Sequence, residues 1–398
     1  MRNVKIAFII FICMCVAVPL ATFDFTPGAV SESEYRTLAD FPPLVGRVEP
    51  TWPKRILGIQ NDLINYINDR VGFRLAATHM VAFLKVKALG ITSNLAVLFG
   101  TDGYLVNNQD HDLIMAAGKW QIDPGEKAAY IAAQQRIQAY YDEKGVDYYV
   151  VATPQAPDVA YEYFPYKSDT SGQNNPLDVI CGFLDEEAGV KTINVRQKVL
   201  EYSALGQVTH KRDTHWTSFG AYAGAIAIVE RLQAEGYDIA PIDESRITWD
   251  TVAIGADHER LLGYIGIMEG TPEVLPAPVW DYGFVNGEGS EGYGQVKAIC
   301  EAMPAWAVFD LNYSEIHYFE NPDAPYGTLL IYGDSQMNVL VPSYLAEYFK
   351  KVVHVGVAPR ITPALDDLLQ PDVVMVTMVS RRTDPPWSRL ATADDLVP

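Results

Sequence analysis

Apolar residues fall at helical spacing in two stretches near the start of the chain. Ile56, Ile59, Leu63 and Ile67 predict a helix over 55–67, closed by Asn68-Asp-Arg-Val-Gly-Phe-Arg74, and a second helix is expected over about 76–89. Val97 to Leu105 reads as two short strands around a Thr-Asp-Gly turn. Beyond Pro124 the rhythm becomes β–α. Tyr130, Ala133, Ile137 and Tyr140 form a helix stripe stopped at Lys144-Gly145, and Tyr148 to Ala152 is a buried strand. A helix near 176–188, a strand at 192–195 and a helix over about 217–233, capped by Thr217 or Ser218, follow. Residues 235 to 305, rich in glycine and proline, read as an irregular insertion. The rhythm returns with a strand at 329–332, a helix after Ser335 to about Lys350, and strands at 352–355 and 373–379. Apolar strands alternating with helices predict an α/β fold, a mostly parallel sheet flanked by helices.

Two segments lie outside that rhythm. Arg2 and Lys5 precede an uncharged run from Ile6 to Phe23, closed by Asp24, so residues 1–23 read as a signal anchor or a cleaved signal peptide. Either one puts the bulk of the chain outside the cytoplasm, and the anchor reading has Arg2 and Lys5 inside. Residues 24–53 carry Phe41-Pro-Pro-Leu44 and Glu49-Pro-Thr-Trp-Pro53 and read as an extended linker, leaving 54–398 as the functional domain.

Charge narrows the partners. With 30 basic and 50 acidic residues the formal net charge is −20, which disfavours nucleic acid. Cys181 and Cys300 could pair in an oxidising compartment, though their separation carries no spacing information. The seven histidines show no metal-ligand spacing, and no cofactor is called for. Gly287 to Gly294 contains G-x-G-x-x-G without a preceding apolar strand and with two acids, so it reads as a loop.

The chemistry sits in two segments. Lys211-Arg-Asp-Thr-His-Trp-Thr-Ser218 offers Asp213 and His215 two positions apart, which a turn or extended stretch puts on one side. Thr328-Leu-Leu-Ile-Tyr-Gly-Asp-Ser-Gln-Met337 offers Ser335 at the exit of an apolar run, where open α/β sheets place their ligands. Together they supply a nucleophile, a general base and a residue to orient that base. The backbone N–H of Ser335 and the side chain of Asn338 are candidate oxyanion donors. Tyr161, with Tyr163, Phe164 and Tyr166, could line a sugar groove or pack beneath a loop.

The full set resembles the alginate O-acetyltransferase family of exported, SGNH-hydrolase-like acyltransferases, in its anchored single-domain form. The specific match is Arg212-Asp-Thr-His-Trp216 joined to a later Gly333-Asp-Ser335. Softer matches are Ser33 to Pro42, Asn68 to Arg74, Leu98 to Tyr104, Val150 to Pro154 with Glu162 to Pro165, and Gln370 to Val374 with Arg381. The resemblance implies an SGNH-like fold with circularly permuted motif order, and catalytic roles for Asp213, His215 and Ser335. It makes Trp216 and Arg381 candidate contacts as well. It also implies a periplasmic site at the inner membrane, an exported polysaccharide as acceptor and a membrane-bound acyltransferase as donor partner. Ser380-Arg381 stands where the family has Glu-Arg, and Ala156 to Ala160 lacks its lysine and tyrosine. The same parts would serve a carbohydrate acetylesterase. A non-catalytic polysaccharide-binding protein on the same fold is the third reading.

Overall fold

Val, Ile, Leu and Tyr fill seven segments that form one sheet: β1 (Asp147–Thr153), β2 (Thr192–Asn194), β3 (Val285–Asn286), β4 (Ile316–Glu320), β5 (Tyr326–Tyr332), β6 (Phe349–Val355) and β7 (Val373–Val379). The structure, a computed structural model, describes residues 6, 8, 13, 17–19, 21–31, 36–43, 52–92, 96–108, 112–254, 257–262, 267, 273–302, 316–337, 340–356 and 361–380. The strand order is β2-β1-β7-β5-β6-β4-β3. The five strands from β2 to β6 run parallel, and β4 and β3 close that edge antiparallel.

Alternate residues of each central strand feed two cores. Tyr149, Val151, Leu329, Ile331, Val373 and Met375 pack on one face, under the Ser218–Ala234 helix. Tyr148, Val150, Leu330, Tyr332, Val374 and Val376 pack on the other, under the Pro124–Lys144, Pro176–Phe183 and Pro363–Leu369 helices. Both faces are therefore apolar, as parallel strands require. Cys181 and Cys300 lie in this second core as free thiols rather than a disulfide, and burial pushes each up to about 12.

Three expectations change. The insertion at 235–305 is not irregular: Ile247–Ile254 and Glu273–Trp280 pair antiparallel over their full lengths, and a helix runs Glu291–Ala302. The G-x-G-x-x-G segment therefore leads into a helix, and its Gly287 and Gly292 make room for the ring and the hydroxyl of Tyr318, which a Cβ at either position would overlap. The helix beyond Ser335 is also short, Leu340–Leu345, because β6 already begins at Phe349.

The domain boundary moves too. The chain divides into two compact units, residues 96–258 with 272–398, and residues 1–95 with 259–271. The sheet-bearing unit thus starts at Ala96 rather than residue 54. In the smaller unit the Trp52–Arg70 helix is followed by Arg74–Phe83, with Phe73 between them in the left-handed region (φ 63°). The segment expected as an extended linker is held there by Arg70, which is buried. Its guanidinium donates to Ala39 O (3.0 Å) and Thr26 O and pairs with Asp40 (2.7 Å). Half of the run from Ile6 to Phe23 lies outside the described residues. Among those described, no helix is long and apolar enough to cross a membrane.

Candidate active site

The loop carrying Asp213 and His215 is pinched at its base. Thr209 and Trp216 form an antiparallel bridge, the His210 N–H donates to His215 O (3.1 Å), and the Thr217 N–H donates to Val208 O (2.9 Å). Thr217 then caps the following helix by accepting the Gly220 N–H (3.1 Å). The sequence left Thr217 and Ser218 as alternatives; Thr217 holds the position. A residue two before His215 can turn its carboxylate back onto it. Asp213 Oδ1 does this twice, accepting the backbone N–H of His215 (3.0 Å) and meeting its ring Nδ1 (2.6 Å).

Ser335 follows the end of β5, at the carboxyl ends of the parallel strands. Its loop is fixed on every side. The Gly333 N–H donates to Val355 O (3.0 Å), that of Asp334 to Thr377 Oγ1 (2.8 Å) and that of Gln336 to Asp334 Oδ1 (2.9 Å). The Met337 N–H donates to Asp334 O (3.1 Å). That of Ser335 has no partner among the described residues. A side chain at Gly333 would place its Cβ 2.1 Å from His354 Nε2, so the Ser335 loop needs glycine there for close approach.

These two loops meet. His215 Nε2 stands 2.8 Å from Ser335 Oγ, completing a chain from Ser335 through His215 to Asp213. Asp213 is 4% exposed and the His215 side chain 29%, so the carboxylate is shielded while part of the imidazole stays accessible to solvent. Such a chain can draw the hydroxyl proton onto Nε2 while Asp213 holds the Nδ1–H and the imidazolium that forms. The uncommitted Ser335 N–H is a donor for an oxyanion formed beside Oγ.

Gln336 locks the two loops to each other. Its Nε2 donates to Thr214 O (3.0 Å) and its Oε1 accepts the Trp216 N–H (3.1 Å), so one amide grips the backbone on both sides of His215. Gln155, just past β1, adds a second donor to Thr214 O (3.2 Å). On the outer side of the loop, Glu273 accepts the Lys211 N–H (3.1 Å) and the Gln207 amide, with His210 Nδ1 at 3.6 Å. Burial raises the Glu273 carboxyl, but the nearby His210 and the hydrogen bonds from the Gln207 amide and the Lys211 N–H together hold it below its ordinary range. No local pattern marks Gln336, Gln155 or Glu273.

The other candidates sit elsewhere or outside view. The Trp216 indole is buried over Gly220 and Gly224 of the helix it precedes, so it contributes packing and a backbone N–H. The Tyr161 ring lies over Gly172, and Tyr163 stacks on Tyr104 at 4.6 Å. Of that aromatic group Tyr166 is the well-exposed member. Asn338 and Arg381 lie outside the described residues.

A mostly parallel α/β sheet with a serine at its carboxyl edge and an Asp-His pair turned onto it defines an SGNH-hydrolase-like fold. Residues 97–284 match the family described as SGNH hydrolase-like domain, acetyltransferase AlgX. The matched stretch holds Asp213 and His215 and ends before Ser335. Among solved structures, PatB1 of Bacillus cereus with a sulfonyl adduct is similar in fold, with a TM-score of 0.51 and 14% identity over 74% of this chain and 98% of that one. The O-acetyltransferase domain of Pseudomonas putida AlgJ is similar at a TM-score of 0.44 and 15% identity, over 74% and 98% of the two chains. No curated protein matches the sequence.

Proposed function

We propose that the protein is an O-acetyltransferase that carries an acetyl group on Ser335 and passes it to hydroxyls of an exported polysaccharide. The observation that carries this reading is the 2.8 Å approach of His215 Nε2 to Ser335 Oγ, with Asp213 at 2.6 Å behind the ring. The match of residues 97–284 to the AlgX acetyltransferase family supports acetyl transfer among the reactions such a relay could run.

Ser335 Oγ attacks the acetyl carbonyl of the donor as its proton passes to His215 Nε2. The oxyanion is held by the Ser335 N–H. Collapse expels the donor's oxygen, which takes the proton back from His215 and leaves an acetyl-serine. A sugar hydroxyl then attacks that ester, with His215 again as base, and the Ser335 oxygen leaves and is reprotonated. General base catalysis of this kind contributes roughly 10²–10⁴-fold. A membrane-bound acyltransferase would supply the donor, and the N-terminal apolar run would tether the chain at the inner membrane, facing the periplasm.

The exposed edge of His215 admits water, which favours a carbohydrate acetylesterase as the second reading. Purified protein given an acetyl ester and oligosaccharides separates them. Acetylated oligosaccharide is the expected product, and acetate with unmodified oligosaccharide would favour the esterase. Donor turnover unchanged in Ser335→Ala would sink both.

A further inference from the structure

The Trp52–Arg70 helix turns its apolar face outward. At 100° per residue, Ile56, Leu63 and Ile67 share one arc that Ile64 and Leu57 extend. That arc is open to solvent: Leu57 is 57% exposed and Ile64 45%. The side that carries Tyr66, Asp69 and Arg70 is the engaged one, with Tyr66 packed on Phe23 and Phe41 and Arg70 buried. Asn65, Asn68 and Asp69 line a cleft with Thr37, Ala39 and Arg74, and Asp69 Oδ2 accepts the Ala39 N–H (2.9 Å). A helix resting on a globular core has the reverse arrangement. The next helix repeats it, burying the small Ala82 while Met80, Phe83 and Leu84 are exposed.

Charge reverses over the same residues. Six basic against two acidic residues give 52–92 a formal charge of +4, in a chain of −20 overall. Lys54, Arg55 and Lys87 are exposed, and Trp52 stands 74% exposed at the first turn. Outward apolar arcs, flanking cations and a tryptophan at one end are the marks of helices that lie in the headgroup layer of a bilayer.

We propose that residues 52–91 form a membrane-docking surface that lies flat on a bilayer rich in anionic lipid. The apolar side chains enter the acyl boundary, and the lysines and arginines meet lipid phosphates. Neither helix spans, since the first carries Lys54, Arg55, Asp62, Asp69 and Arg70 and the second is ten residues long. The surface follows the apolar run 6–23 in sequence, so the same membrane that takes that run lies within reach. The remainder of the chain, strongly acidic, would be repelled by the lipid that attracts this segment.

Hydrogen–deuterium exchange of the full chain tests this in nanodiscs of phosphatidylcholine alone or mixed with phosphatidylglycerol. Exchange across 52–91 is expected to slow about tenfold on the anionic discs relative to the neutral ones, while peptides of 96–254 are unchanged. Leu57→Glu with Ile64→Glu, both at exposed positions, should remove the protection, and Lys85→Glu with Lys87→Glu should weaken it only on anionic discs. Equal exchange on both discs overturns the proposal. So does protection that appears without lipid as protein concentration rises, which would assign the surface to a second copy. Protection that requires an added membrane acyltransferase would assign it to a protein partner and overturn it equally.

Discussion

One carboxylate oxygen, Asp213 Oδ1, fixes both the backbone and the ring of His215, and this local geometry is why the pair was legible as Asp-x-His. Ser335 was legible for a different reason, its place at the end of an apolar strand. Gln336 was not, because its partners Thr214 and Trp216 lie 122 and 120 positions away and mean nothing until the sheet brings them together. Gln336 acts on the relay through His215's backbone, so Gln336→Ala should lower kcat about tenfold with KM little changed, from the loss of one to two hydrogen bonds. Stopped-flow and steady-state kinetics check this; a change in KM alone would assign Gln336 to substrate binding. Gly333→Ala must move His354 or the Ser335 loop, and should cost about 1–3 kcal/mol of stability in chemical denaturation. A fully stable Gly333→Ala variant would contradict the close approach.

Among elements, the sequence announced those whose pattern is local. Val373–Val379 and the Ser218–Ala234 helix came out as read, because an unbroken apolar run and a cap with a helical stripe are short-range signals. The Glu273–Trp280 strand was hidden by Pro276 and Pro278. Prolines two apart can both turn their missing N–H to the open edge of a two-stranded ribbon, so the strand survives what the pattern treats as a break. The pairing of β4 with β6 sets His317 directly opposite His354, their rings stacked at 5.4 Å. Burial, with His317 second, lowers His354 from 6.5 to about 3. The unfolded chain therefore binds more protons than the folded one between those values, and stability is lost as pH falls through that window. His354→Leu should flatten the acid limb between pH 6.5 and 3, by at most about 1.4 kcal/mol per pH unit. Denaturation series at several pH values check it, and parallel curves for the two proteins would contradict it.

The whole molecule combines a strongly acidic SGNH-like unit, which holds the relay, with a smaller unit whose charge is reversed over 52–92. Composition revealed the net −20 but averaged away that reversal, and the boundary at Ala96 was invisible because both units open with helix-spaced apolar residues or short strands. The function proposed for the larger unit rests on acetyl reaching one serine through one imidazole. The direct measurement is mass spectrometry of protein quenched in acid after brief exposure to an activated acetyl ester. Acetyl should appear on the peptide holding Ser335, be absent from that peptide in Ser335→Ala, and form about 10⁴-fold more slowly in Asp213→Asn. Acetyl on any other residue at the same rate, or its undiminished formation in Asp213→Asn, would contradict the account.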